Sequence, residues 1–204
     1  MLQELTEEVV RIWVAGGSLM IPLAILGLVI YFALFEIIVY FGFNDYYNSN
    51  SDQWMHWIDR PQEAKGPLGD IIQYAQHKVG SMDDIRDRMA EIRNAHLSRI
   101  NGRIRFASIL VGTAPLTGLL GTVTGMLSTF AGLSTSTAGN TVDLVAGGIS
   151  EALITTQTGL VLAIPGYIML NVVKRRRDQL DSFCTQVEIF TLKRFEKGNL
   201  KPAA

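Results

Sequence analysis

Apolar and polar positions divide the chain into three long apolar blocks set in polar sequence. Leu19 to Phe43, Ile104 to Leu133 and Ile149 to Val173 each approach or exceed the ~20 residues that a helix needs to cross ~30 Å of hydrocarbon. Each predicts a membrane-spanning helix. Ahead of the first block, Leu2, Leu5, Val9 and Trp13 recur at helical spacing with Glu4, Glu7 and Glu8 off that stripe. This predicts an amphipathic helix lying on a membrane surface. Gly16, Gly17 and Ser18 break it, and Pro22 falls in the opening turns of the first span, where proline is tolerated.

Between the first two spans, Asn44 to Gly80 is polar and rich in turn residues, and short helices are expected near Gln53 to Ile58 and Leu68 to His77. At Ser81 the pattern becomes periodic. Ser81 with Asp83 and Asp84 reads as a helix start, and Ile85, Met89, Ile92, His96 and Ile100 then repeat every three to four residues. Nothing interrupts the run before Pro115, so Ser81 to Phe130 should be one rod of roughly 75 Å at ~1.5 Å per residue. The third span repeats this in reverse: Leu180, Phe183, Val187 and Phe190 mark one face of a helical tail that should cover the stripe of the preceding rod. The predicted organisation is all-α. It has an outer-face helix (1–18), a first span (19–43), a cytoplasmic helical region (44–103), a second span (104–133), an outer connection (134–148), a third span (149–173) and a cytoplasmic helical tail (174–204), two of the spans extending into long cytoplasmic helices.

Composition agrees with a membrane assignment, at 48% hydrophobic residues and a mean hydropathy of +0.22. Charge adds an orientation. The net charge is only −1, yet one Lys or Arg precedes the first span, nine lie from Arg60 to Arg105, none from Phe106 to Val173, and eight from Lys174 to Lys201. Basic flanks stay in the cytoplasm, which puts the N-terminus outside and the C-terminus inside. Lys174 to Arg177 suits this stop-transfer role, with anionic lipid as an alternative partner. Met1 to Ile12 has no basic segment, so no cleaved signal is read there. Cys184, the one cysteine, is expected to be a reduced, inert thiol.

Candidate chemistry lies inside the apolar blocks. Thr122 shares a helix face with Pro115, Gly118, Gly125, Met126 and Thr129, and Thr156 with Ala152, Gly159 and Ala163. Close packing explains part of this, because Gly121 with Gly125 and Gly159 with Ala163 let backbones approach and threonine hydroxyls can bond the preceding turn. Glu151 asks for more: an ionised carboxylate facing lipid costs several kcal/mol, so it must meet protein, water or a cation. It has Thr155 and Thr158 on its own face and points about 140° from Thr156 on a straight helix, unless Pro165 distorts that helix. Glu36 is intramembrane or lies at the inner interface. The run G-T-A-P-L-T-G lacks the lysine and hydroxyl of a phosphate-binding loop. His56, His77 and His96 have no metal-ligand spacing, and Trp54 and Trp57 read as a packing cluster. No nucleophile, base and orienter assemble, so no enzyme activity, metal or cofactor is expected.

The runs P-L-T-G-L-L-G-T-V-T-G-M (Pro115 to Met126) and I-S-E-A-L-I-T-T-Q-T-G-L-V-L-A-I-P (Ile149 to Pro165) resemble the MotA/TolQ/ExbB proton-channel family, most closely its short ExbB- and TolQ-like members. A-G-G-S-L-M-I-P (Ala15 to Pro22) and G-P-L-G-D-I-I (Gly66 to Ile72) are weaker matches. The resemblance implies a homopentameric ring in the bacterial inner membrane. Its second and third helices would surround the membrane helices of an ExbD/TolR-like single-span partner. Thr122 and Thr156 match the family's pore threonines and Glu151 its third-span glutamate, while the partner supplies the ion-carrying aspartate. A TonB- or TolA-like protein would relay the motion, for nutrient import or envelope maintenance respectively. Two positions depart from the pattern. The first-span glutamate is usually followed by arginine, where this chain has Ile37. Thr155 stands where many proton-driven relatives carry a small apolar residue, and a second hydroxyl beside Thr156 would suit an oxygen-rich sodium site. A structural scaffold without ion conduction, and an intramembrane enzyme or transporter, are the competing classes. A scaffold has no use for Glu151, and a transporter would show paired repeats or broken helices.

Overall fold

The computed structural model describes residues 2–43, 56–58, 60–64, 66–76, 79–135 and 141–197. Its elements are α1 (Leu2–Ala15), α2 (Met20–Phe43), a 3-10 turn (Pro61–Glu63), α3 (Gly66–Gln76), α4 (Met82–Thr135) and α5 (Thr141–Glu196), and no strand occurs among the described residues. Three of these helices, α2, α4 and α5, are long and apolar enough to cross a membrane. The expected helix from Leu68 to His77 corresponds to α3, which starts two residues earlier. Of Gln53 to Ile58 only 56–58 are described, and these are helical. Trp54, His77 and the side chains of Leu2 and Leu5 lie outside the described residues.

The chain forms two compact units. The first comprises Met1–Leu34 and Phe106–Leu170. Its buried positions follow a 3-4 alternation: Met20, Leu23, Gly27, Ile30 and Leu34 on α2; Ala107, Val111, Ala114, Gly118, Gly121, Gly125 and Thr129 on α4; Gly148, Ala152, Thr155, Gly159, Ala163, Gly166 and Leu170 on α5. That spacing makes a narrow seam of the coiled-coil type. Along α4 and α5 most seam residues are Gly, Ala or Thr, while larger apolar side chains such as Leu116, Leu120, Leu127, Phe130, Leu153, Val161 and Ile168 point outward. In water this arrangement would be inside out, because every exposed apolar Å² costs ~25 cal/mol. In hydrocarbon, small residues inside and large ones outside is the favoured order, since close backbone packing, not burial, holds the helices together.

The second unit comprises Phe35–Arg105 and Asn171–Ala204, and its pattern is the reverse. Ile37, Phe41, Leu68, Ile71, Ile72, Ile85, Met89, Ile92, Ile100, Leu180 and Val187 are buried, and charged side chains are on the surface. The stripes read from sequence on α4 and α5 are buried within this unit, with His96, Phe183 and Phe190 half-buried. The helix start at Ser81 is a reciprocal cap. Asp84 N–H donates to Ser81 Oγ (3.1 Å), and Asp84 Oδ2 accepts from the N–H groups of Ser81 and Gly80, each at 2.9 Å. Those two backbone donors hold the Asp84 carboxyl below its ordinary pKa. Across the unit, Arg93 donates to Thr185 Oγ1 (2.9 Å) and Glu188 Oε2 (3.1 Å), and Arg177 to Asn101 Oδ1 (2.8 Å) and Asp178 Oδ1 (2.9 Å). Arg177 is thus engaged with protein, while Lys174 and Arg175 are exposed. Cys184 is buried, and burial pushes its thiol up to about 11.

Candidate functional site

Threonines on α4 and α5 donate back into their own helices, and Thr156 also reaches the neighbouring one. On α4, Thr113, Thr117, Thr122, Thr124 and Thr129 all donate to carbonyls three or four residues back. This satisfies the hydroxyl proton inside the helix and leaves the oxygen lone pairs available. Thr122 bonds Leu119 O at 2.7 Å and is half-buried beside the seam, with its side chain partly uncovered by its own chain. Pro115 sits in the middle of α4 without ending it, and it cannot supply the N–H that Val111's carbonyl would otherwise receive. Pro165 does the same within α5. One turn earlier, the Leu162 carbonyl accepts a 3.1 Å hydrogen bond from Tyr31 of α2.

The α4–α5 contact is built from missing side chains. A methyl placed on Gly159 would lie 2.7 Å from the Ala114 carbonyl oxygen and 3.1 Å from Gly118 Cα, so the two backbones touch there. At this crossing Thr156 Oγ1 donates its proton either to Gly118 O on α4 (3.0 Å) or to Ala152 O on its own helix (3.2 Å). A side-chain donor bridging two helices at a carbonyl is a means of fixing their register. Thr155, adjacent in sequence, lies one turn from Gly159 along the seam. It is 1% exposed, donates to Ala152 O (3.0 Å) or Glu151 O (3.2 Å), and fills the notch at Gly121, where an added methyl would meet its Oγ1. Gly125 packs in the same way against Gly148 and Ala152.

Glu151 takes no part in that contact. Its carboxylate lies against Gly17 in the turn between α1 and α2, in keeping with the angular separation from Thr156 that the helix geometry requires. It also borders an open groove of about 530 Å³ with Ser128, Thr129, Asp143, Leu144, Gly147 and Gly148. Asp143, Ser128 and Gly17 are thus companions of Glu151 that the sequence reading did not single out. The i, i+4, i+8 spacing of Asp143, Gly147 and Glu151 was the available signal for the first of them. Glu36 lies in the other unit, half-exposed, and pairs with Arg103 of α4 at 2.8 Å. Arg103 therefore provides the cation that the residue after Glu36 does not, and Ile37 is buried in the apolar core of the same unit instead.

Residues 63–185 match the family model of the MotA/TolQ/ExbB proton channel family. The biopolymer transport proteins ExbB of Salmonella typhimurium and of Salmonella typhi are each 35% identical to the chain over 123 residues, covering 55% of the chain. The chain spans about half the length of these curated relatives, at 50% of each.

Proposed function

The chain belongs to the MotA/TolQ/ExbB proton channel family, and on that premise we propose that it is the ExbB-like subunit of an ion-driven motor in the bacterial inner membrane. Several copies surround the membrane helix of an ExbD-like single-span partner, and proton flow through the assembly energises TonB-dependent transport across the outer membrane. Thr122 and Thr156 line the path, and Glu151 lies toward its outer mouth. The ionisable carboxylate that carries the ion belongs to the partner, so the chain's own part is to stabilise that carboxylate and relay ions to it. A hydroxyl can donate to an ionised carboxylate and accept from a hydrated proton in turn, which suits threonine for both steps.

The observation that carries this reading is the state of Thr122 on α4. It is half-buried, its hydroxyl donates to Leu119 O at 2.7 Å within its own helix, a bond that rotation of the hydroxyl exchanges for one to a partner's carboxylate, and it stands on a face that its own chain leaves partly uncovered. A residue serving packing alone would be closed in. The test is reconstitution: the chain and an ExbD-like single-span protein are placed in liposomes, and ion uptake is followed under an imposed gradient. Uptake is expected from the pair and not from either protein alone. Absence of uptake from a correctly assembled pair would leave a scaffold as the better assignment.

A further inference from the structure

The turn between α1 and α2 meets Glu151 at a position where an added side chain would displace the carboxylate. Gly17 has φ +64°, a conformation that residues with a Cβ adopt only with strain. A methyl built on it would collide with Glu151 Oε1 and lie 2.6 Å from Cδ and 3.2 Å from Cγ. Gly66 separates these two properties. It also has positive φ (+77°), yet nothing lies within 4 Å of the methyl it lacks. Backbone conformation alone therefore favours glycine at both positions, while at Gly17 a carboxylate fills the vacant volume as well.

We propose that Gly17 is a positioning residue for Glu151, the bare backbone of its turn seating the carboxylate of the third membrane helix. The seat also makes electrostatic sense. The turn leads directly into α2, whose first N–H groups carry partial positive charge, a favourable neighbour for an acid among apolar helices. A side chain at position 17 drives the carboxylate off this surface and out of its place at the groove with Ser128, Thr129 and Asp143. The functional consequence rests on the ion-motor reading of Glu151; the seating itself does not.

The experiment measures the rate at which dicyclohexylcarbodiimide, which modifies carboxyls in apolar surroundings, labels Glu151 in the purified assembly, read by mass spectrometry with Glu151→Gln as the blank. Gly17→Ala is expected to raise the rate several-fold and Gly66→Ala to leave it unchanged. Gly17→Ala/Glu151→Asp, which shortens the acid by one methylene, is expected to regain much of the ion uptake that Gly17→Ala loses. That loss is expected to be ~100-fold, the scale of penalty for an ~1 Å misplacement of a working group. An unchanged labelling rate in Gly17→Ala overturns the proposal whatever happens to uptake. Altered labelling with full uptake keeps the seat and removes Glu151 from the ion path. Should Gly17→Ala fail to accumulate in the membrane, Gly17→Ala/Glu151→Ala removes the colliding carboxyl while the backbone strain stays, so accumulation must rise above that of Gly17→Ala; no rise also overturns the proposal.

Discussion

Neighbouring threonines on α5 face different surroundings. Thr155 fills the Gly121 notch at 1% exposure, whereas Thr156 spends its proton on a carbonyl of the adjacent helix. Thr156→Val keeps the shape and removes the oxygen, and Gly118 O remains a helical carbonyl, so the stability lost should be only ~0.6 kcal/mol, typical of an interhelical hydrogen bond in a membrane. Ion-driven uptake should fall to background while the amount of assembled complex stays near normal, and Thr122→Val should behave alike. Gly121→Ala is expected to do the opposite. Its methyl would sit 2.1 Å from Thr155 Oγ1 and 2.5 Å from Thr155 Cβ, so the helices must separate and assembly, measured by size exclusion, should drop. Thr155→Ala should change sodium dependence only if sodium is the coupling ion. Full uptake in Thr122→Val, Thr156→Val and Glu151→Gln together would reduce all three to packing elements. Glu151 was conspicuous in the sequence as an acid in an apolar run, while Thr122 and Thr156 were singled out among several threonines by the family resemblance. The sequence did not point to Gly17, since a glycine's role as another residue's seat depends on contact across more than a hundred residues of chain.

At the level of elements, what was legible follows from locality. The start of α4 could be read at Ser81 because a cap is built from residues three apart, and the cap has a pH signature. The Asp84 carboxyl is held below its ordinary pKa by the Gly80 and Ser81 N–H groups, so its contribution is present above the unfolded-state value of ~3.9 and is lost as pH falls through the lower folded value. Hydrogen exchange of the amides in the first turn of α4 is expected to quicken in Ser81→Ala near neutral pH. The same amides in the unmodified protein should lose protection only once the pH is well below 4. Cys184 gives the opposite sign. Its thiol is raised to about 11 by burial, so the benefit of keeping it neutral is complete below the ordinary thiol value and lost as pH rises toward 11. Maleimide labelling of the folded protein at pH 8 should accordingly be far slower than in denaturant, and rapid labelling of the native assembly would contradict the burial. The Glu36–Arg103 pair was not legible. It joins α2 to α4, and its register is set by packing that no single helix displays.

For the whole molecule, hydropathy was sufficient to find three helices able to span a membrane, but a single chain's sequence does not display what covers their outer faces. The basic clusters predict sidedness: reporters fused near residue 50 and after Ala204 should be cytoplasmic and one near residue 136 external, and finding residues 50 and 136 on the same side would end the three-span topology. The packing predicts association. Within one chain the α4–α5 crossing is closed, with Gly118 and Gly159 in backbone contact, so it has no lumen for water or for a partner's helix. If Thr122 and Thr156 border an ion path, that path must be enclosed by several copies, each turning the partly uncovered face of α4 inward. A closed ring of identical subunits satisfies this, and open chains of subunits do not, because an unclosed wall leaves the hydroxyls facing lipid. Native mass spectrometry in mild detergent is therefore expected to give one discrete oligomer, five subunits by family resemblance, with Gly121→Ala shifting it toward monomer and Thr156→Val leaving it intact. Monomers alone from the unmodified protein would mean that each chain closes on itself, and an ion path through Thr122 would then have no walls.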